Sequence, residues 1–204
     1  MEELRRYIKK VLRESFFQEN TSSYITAYHG SRSVLPFQEF DNSMIGSGLV
    51  TLGGSSDAYD GFFFTTEKEN AEYYTEYFVA KVNIKGVEKN PTELKHPSKV
   101  LSLAKNDEKV YIIEDVLDGA VFSDIIVVPS NRIDSISILE WEFVGDEEML
   151  FERYDEIFGI ENEEGDGVYV NQDMIHDVLE TIGIDINFLL KIPVFKKYYE
   201  SERY

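Results

Sequence analysis

Three consecutive phenylalanines, Phe62, Phe63 and Phe64, stand between Gly61 and Thr65. A run this short and this aromatic, opened by a glycine, predicts a buried β-strand rather than a helix. Alternation along the strand puts Phe62 and Phe64 on one face, where they serve the core, and Phe63 on the other. The strand leads straight into "EKENAEYYTEY" (67–77), which reads as a helix that Thr65 or Thr66 can cap. Glu67 and Glu69 lie in its first turn, where the helix dipole favours acids. A strand that feeds a helix this abruptly needs a neighbour to complete the sheet. The segment before it, "SYITAYHGS" (23–31), supplies a short strand ending at His29 and Gly30.

The rest of the chain surrounds this pair. Its 204 residues allow one domain with an appendage or two small domains, and 43% hydrophobic content supports a packed core. Residues 1–20 place Leu4, Ile8, Val11 or Leu12, and Phe16 or Phe17 on one helical stripe, with Arg5, Arg6, Lys9, Lys10 and Arg13 opposite. Residues 41–60, rich in Gly, Ser and Asp, form a long loop. "FVAKVNIKG" alternates as a strand, and the polar stretch 87–108, with Pro91 and Pro97, holds a short helix. "KVYIIEDV" is a strand or a helix end, and two or three strands follow up to Phe143. Beyond Gly145 the spacing turns helical. "DEEMLFERYDEIFG" and "NQDMIHDVLETIG" each close on a glycine, with the acidic turn 161–167 between them. A short helix, "DINFLLK", and an aromatic tail complete the chain. Three units result: an N-terminal helix (1–20), a central domain (21–144) and a helical extension (145–204).

Composition excludes several chemistries. With 20 basic against 39 acidic residues the net charge is −19, which disfavours nucleic acid as a partner. The absence of cysteine removes disulfides, thiol nucleophiles and thiolate metal sites. No apolar run is long enough for a signal peptide or a membrane span, so a soluble, cytoplasmic protein is expected. GxGxxG, GxxxxGK[ST], HExxH and GxSxG are all missing. His29, His96 and His176 lie in different elements without ligand spacing, so no metal site is expected.

His29-Gly30-Ser31, followed by Gly61-Phe62-Phe63-Phe64-Thr65 and by Ala71 and Tyr74, resembles the ADP-ribosyltransferase family. The likeness is to the branch with a His-Tyr-Glu signature, which includes diphtheria toxin and the poly(ADP-ribose) polymerases, and especially to small bacteriophage-encoded domains. It covers roughly residues 24–139. It implies an α+β fold with two facing, mostly antiparallel sheets, and a toxin-like mono-ADP-ribosyltransferase that uses NAD to modify a protein acceptor in a host cytoplasm. It also implies a cofactor site. His29 would bond the adenosine ribose and Gly30 the nicotinamide amide through its backbone, with Ser31 beside them. Phe63 and Tyr74, or Tyr73 in place of the latter, would sandwich the nicotinamide ring. Where the family carries a catalytic glutamate, this chain has Asp124, so Asp124 with His29 makes up the catalytic pair. Aspartate retains the carboxylate but is one methylene shorter. Glu140 and Glu142 in "LEWEF" are alternative acids. Two other readings stand beside transfer to protein: an NAD glycohydrolase, and a binding module that retains the fold without catalysis.

Overall fold

The computed structural model describes residues 24–44, 60–118, 121–161 and 168–201. The helix expected over 1–20, most of the loop at 41–60 and the acidic turn beyond its first residue lie outside that description. The chain is α+β. Seven strands form one mixed sheet: β1 (Tyr24–Ser31), β2 (Gly61–Thr65), β3 (Phe78–Lys85), β4 (Val87–Lys89), β5 (Val110–Asp118), β6 (Val121–Pro129) and β7 (Ile136–Phe143). Their order is β4-β5-β6-β2-β1-β3-β7, and of these pairs β4–β5 alone is parallel.

The expected pair of facing sheets is instead one hydrogen-bonded sheet with a weak seam. β1 pairs with β3 along all eight of its residues, and β2 pairs with β6 along all five. Between β1 and β2 there is the single pair Tyr28↔Thr65. The inward residues of both halves nevertheless share one core. Ala27, Ala80, Val82 and Ile84 from one half cluster with Phe62, Phe64, Ile126 and Val128 from the other. A second, smaller cluster lies on the opposite face of β5 and β6, under α2 (Pro97–Asp107), and gathers Val100, Leu101, Ala104, Tyr111, Ile113, Ile125 and Val127.

The helix after β2 is shorter than its sequence pattern. α1 spans Lys68–Glu72 and stops because Thr75 diverts the chain. The Thr75 hydroxyl donates to the Ser31 carbonyl at 2.5 Å and accepts from the amides of Tyr77 (3.1 Å) and Phe78 (2.9 Å), which turns the backbone into β3. Thr65 does not cap α1. Its hydroxyl accepts the amide of Glu67 at 3.2 Å from two residues before the N-cap position, and the N-cap residue Glu67 makes no side-chain cap bond.

The C-terminal helices follow their caps. α3 (Glu147–Phe158) starts where Asp146 accepts the Met149 amide at 3.0 Å. α4 (Gln172–Ile182) starts where Asn171 accepts the Met174 amide at 2.9 Å, and it ends at Gly183 with φ +74°, the left-handed cap that glycine adopts without strain. Between them Ile160–Glu161 and Val168–Tyr169 pair as a two-stranded ribbon, β8 and β9. After α5 (Ile186–Leu189) the expected aromatic tail is itself a helix, α6 (Pro193–Glu200), with Pro193 at its first turn and Val194, Phe195 and Tyr198 buried. These residues join the same core as the sheet, so the packing is continuous across position 145. No described helix is long and apolar enough to cross a membrane.

Candidate functional site

The seam between β1 and β2 is where the two sequence motifs meet. Past Tyr28↔Thr65 the strands part, and His29 takes up the backbone group that the lost ladder leaves. Its Nδ1 lies 2.9 Å from the Phe63 carbonyl oxygen. A carbonyl only accepts, so Nδ1 carries the proton and Nε2 keeps a lone pair. Burial pushes the His29 pKa below its ordinary value, and the bond to the Phe63 carbonyl only partly opposes this. At neutral pH His29 is therefore an uncharged ring with an acceptor at Nε2, the form that can accept a hydroxyl proton.

A residue absent from the sequence argument holds this ring in place. Phe40 folds back over the seam and packs edge-on against His29 at 5.2 Å, Phe62 at 5.1 Å and Phe64 at 5.3 Å. Phe37 extends the cluster to Trp141 at 4.7 Å, and the Trp141 indole N–H donates to the Phe37 carbonyl at 2.9 Å. The signal was the apolar spacing of "SVLPFQEF" directly after His29-Gly30-Ser31.

Gly30 faces the other side of the sheet. A side chain there would run into the Ala71 carbonyl of α1 and come within 3.1 Å of the Tyr74 Cβ. The need for glycine is thus met inside the protein, by the close approach of α1, rather than by room for a ligand ring. Counting on from Tyr28↔Thr65, Gly30 stands level with Phe63 and on the same face. Gly30, Tyr74 and Phe63 therefore share one face beside the seam. As expected, Phe62 and Phe64 are buried in the core. Phe63 is half-buried against the cluster under α2. Tyr74 is 37% exposed and Tyr73 77%, so Tyr74 is the residue of the two that belongs to this face. Ser31 is buried, and its hydroxyl accepts the Ser33 amide at 3.1 Å, which is a structural duty.

Asp124 is neither in a turn nor at the start of a strand. It lies inside β6, 6% exposed, next to the equally buried Ser123. Alternation puts it with Ile126 and Val128 on the face that carries Phe64 and His29. Its Oδ1 accepts the Asp115 backbone amide at 3.0 Å. The alternative acids occupy the Gly30 face. Register runs Gly30↔Val79↔Glu142 and Tyr28↔Lys81↔Glu140 across β1, β3 and β7. Both are exposed and already ion-paired, Glu140 with Lys81 at 2.7 Å and Glu142 with Lys68. The seam therefore carries Gly30, Phe63 and Tyr74 on one face and the His29 ring on the other, with Asp124 two strands from His29 and on the same face as its ring. Among the described residues no three His, Asp or Glu side chains gather into a metal-ligating cluster. No family model, curated protein or solved structure matches the chain.

Proposed function

We propose that the chain is an NAD-dependent mono-ADP-ribosyltransferase acting on a protein acceptor. What supports this is the seam where β1 and β2 part, which carries the neutral His29 ring on one face and Gly30, Phe63 and Tyr74 on the other. An acceptor nitrogen and two aromatic rings are groups that a ribose hydroxyl and a flat cationic ring call for.

In this reading NAD is the substrate. The bond between nicotinamide and ribose C1′ breaks, its electron pair goes to the pyridine nitrogen, and positive charge develops on the ribose as in glycoside cleavage. An acceptor nucleophile adds to C1′ and loses its proton to solvent. His29 accepts a ribose hydroxyl at Nε2, and Tyr74 and Phe63 offer faces to the nicotinamide. Asp124 opposes the developing charge. A buried, hydrogen-bonded carboxylate needs little rearrangement to do so, whereas Glu140 and Glu142 are solvated and already neutralised by lysines.

The test is incubation with NAD labelled in the ADP-ribose, following nicotinamide release and label on lysate proteins. Asp124→Asn is expected to cut nicotinamide release by roughly a hundredfold or more, with little change in NAD affinity. Glu140→Gln and Glu142→Gln are expected to stay near the wild-type rate. Wild-type turnover in Asp124→Asn would move the acid elsewhere. Nicotinamide release without labelled protein would make water the acceptor and the chain a glycohydrolase. A non-catalytic module is the second reading, because the bond from Asp124 to Asp115 gives the carboxylate a structural use. It predicts no nicotinamide release from the wild type at all.

A further inference from the structure

The ladder between β5 and β6 is regular through Tyr111↔Val127, Ile112↔Ile126 and Ile113↔Ile125, then resumes at Val116↔Ser123. Two residues, Glu114 and Asp115, therefore stand opposite one, Asp124, which defines a β-bulge. Asp115 has φ +52° in the midst of a strand, a left-handed conformation that non-glycine residues rarely adopt and that aspartate tolerates better than most. That conformation points the Asp115 N–H at the side chain of the single opposing residue, and the 3.0 Å bond to Asp124 Oδ1 follows. The flanks are tied down: Lys89 pairs with Glu114 at 2.8 Å, and the Lys95 ammonium donates to the Asp115 carbonyl at 3.4 Å. The Asp115 side chain itself is exposed.

We infer that the β5 bulge is a positioning device for the Asp124 carboxylate, with the backbone N–H of Asp115, and not its side chain, as the working group. This rests on the proposed reaction for its effect on turnover, but not for its structural part. A carboxylate one methylene shorter than glutamate has fewer ways to present itself, and a fixed backbone donor on one oxygen orients the other. Strained non-glycine backbone beside a reacting group is a recurrent way to fix such geometry.

Substitutions at position 115 separate backbone from side chain. Asp115→Gly keeps the N–H and adopts φ +52° freely, and Asp115→Asn tolerates it, so both are expected within about twofold of the wild-type kcat. Asp115→Val disfavours the conformation and is expected to lower kcat at least tenfold at nearly unchanged KM, measured well below its melting temperature. A bulge of purely structural importance would lower the melting temperature in Asp115→Val and leave kcat alone, which would overturn the inference. So would loss of turnover in Asp115→Gly. Amide hydrogen exchange gives an arm that needs no activity: Asp124→Ala, or Asp124→Ser if the alanine variant does not fold, should speed exchange of the Asp115 N–H beyond that of Ile113 and Val116. Unchanged exchange there removes the contact and the inference with it. A wild type that fails to turn over NAD while the exchange result holds would sink the reaction and leave the carboxylate support standing.

Discussion

Around Tyr154, in the C-terminal helices, rings pack against rings: Tyr198 at 4.9 Å, Phe195 at 5.5 Å and Phe158 at 5.9 Å between centroids. Around His29, at the seam of the sheet, rings are just as dense, with Phe40 at 5.2 Å and Phe64 at 5.3 Å. The two regions differ in what they do with polar atoms. His29 is half-buried, and its Nδ1 is placed on a carbonyl that the broken ladder leaves over. Tyr154 is fully buried, and its hydroxyl meets no partner among the described residues. The helical region places one hydroxyl, that of Tyr198 on Asp155 at 2.9 Å, and buries that of Tyr154 for its volume, whereas the seam gains from where a ring nitrogen points. Aromatic content therefore does not distinguish the two regions; the placement of a ring nitrogen on a backbone carbonyl does.

The largest effect that sharpens this contrast is expected from Phe195→Ala. It empties a fully buried position among Tyr154 and Phe158 and should cost about 3–5 kcal/mol. Chemical denaturation would measure it, and NAD affinity of the folded fraction should not change. A loss of affinity with intact stability would mean that the helices, not the seam, hold the ligand.

Gly30→Ala comes next. The added methyl meets the Ala71 carbonyl, so α1 and Tyr74 must shift, at an expected cost of roughly 1–3 kcal/mol. Unlike Phe195→Ala, it should also weaken NAD binding by calorimetry, because the displaced residue is a proposed ring partner. Unaltered affinity in a folded Gly30→Ala protein would separate α1 from the site.

Much of this was legible in the sequence, for reasons that differ by residue. The facing of Phe62, Phe63 and Phe64 follows from the two-residue period of a strand, and α3 and α4 follow from helical spacing closed by Gly159 and Gly183. Helix α6 is less legible, because Lys196 and Lys197 interrupt the buried Val194, Phe195 and Tyr198. The usable signal was Pro193 at its first turn. The bulge at Glu114 and Asp115 is illegible locally, since "KVYIIEDV" carries no glycine and the break appears only when β6 is laid beside it. Gly30 is legible as a close approach, but what approaches it, the Ala71 carbonyl, comes from forty residues further on in the chain and is a tertiary fact. Phe40 over His29 is of the same kind.

Tyr154→Phe tests the helical side of the comparison with an effect of opposite sign. Burial raises the Tyr154 pKa, and among the described residues nothing replaces the hydroxyl's bonds to water. Removing that oxygen should stabilise the protein by up to about 1 kcal/mol, a rise of a few degrees in Tm by calorimetry. Destabilisation by a similar amount would show that the hydroxyl holds a water.

The smallest effect is a difference of slopes, and it tests the seam. Burial holds the His29 pKa below its ordinary 6.5, to which the unfolded chain returns. Above 6.5 both states carry the neutral ring and the full stability is present. As pH falls below 6.5 the unfolded chain binds a proton that the folded chain refuses, so stability declines until the folded pKa is passed. Protonation would also convert Nε2 from acceptor to donor. Wild type should therefore lose more stability than His29→Gln between about pH 7.5 and pH 5. Proton NMR of the His29 ring would give its folded midpoint directly. A midpoint at or above 6.5, or parallel stability curves for the two proteins, would mean that the ring at the seam is solvated and that its Nδ1 bond does not fix the tautomer that the proposed ribose contact needs.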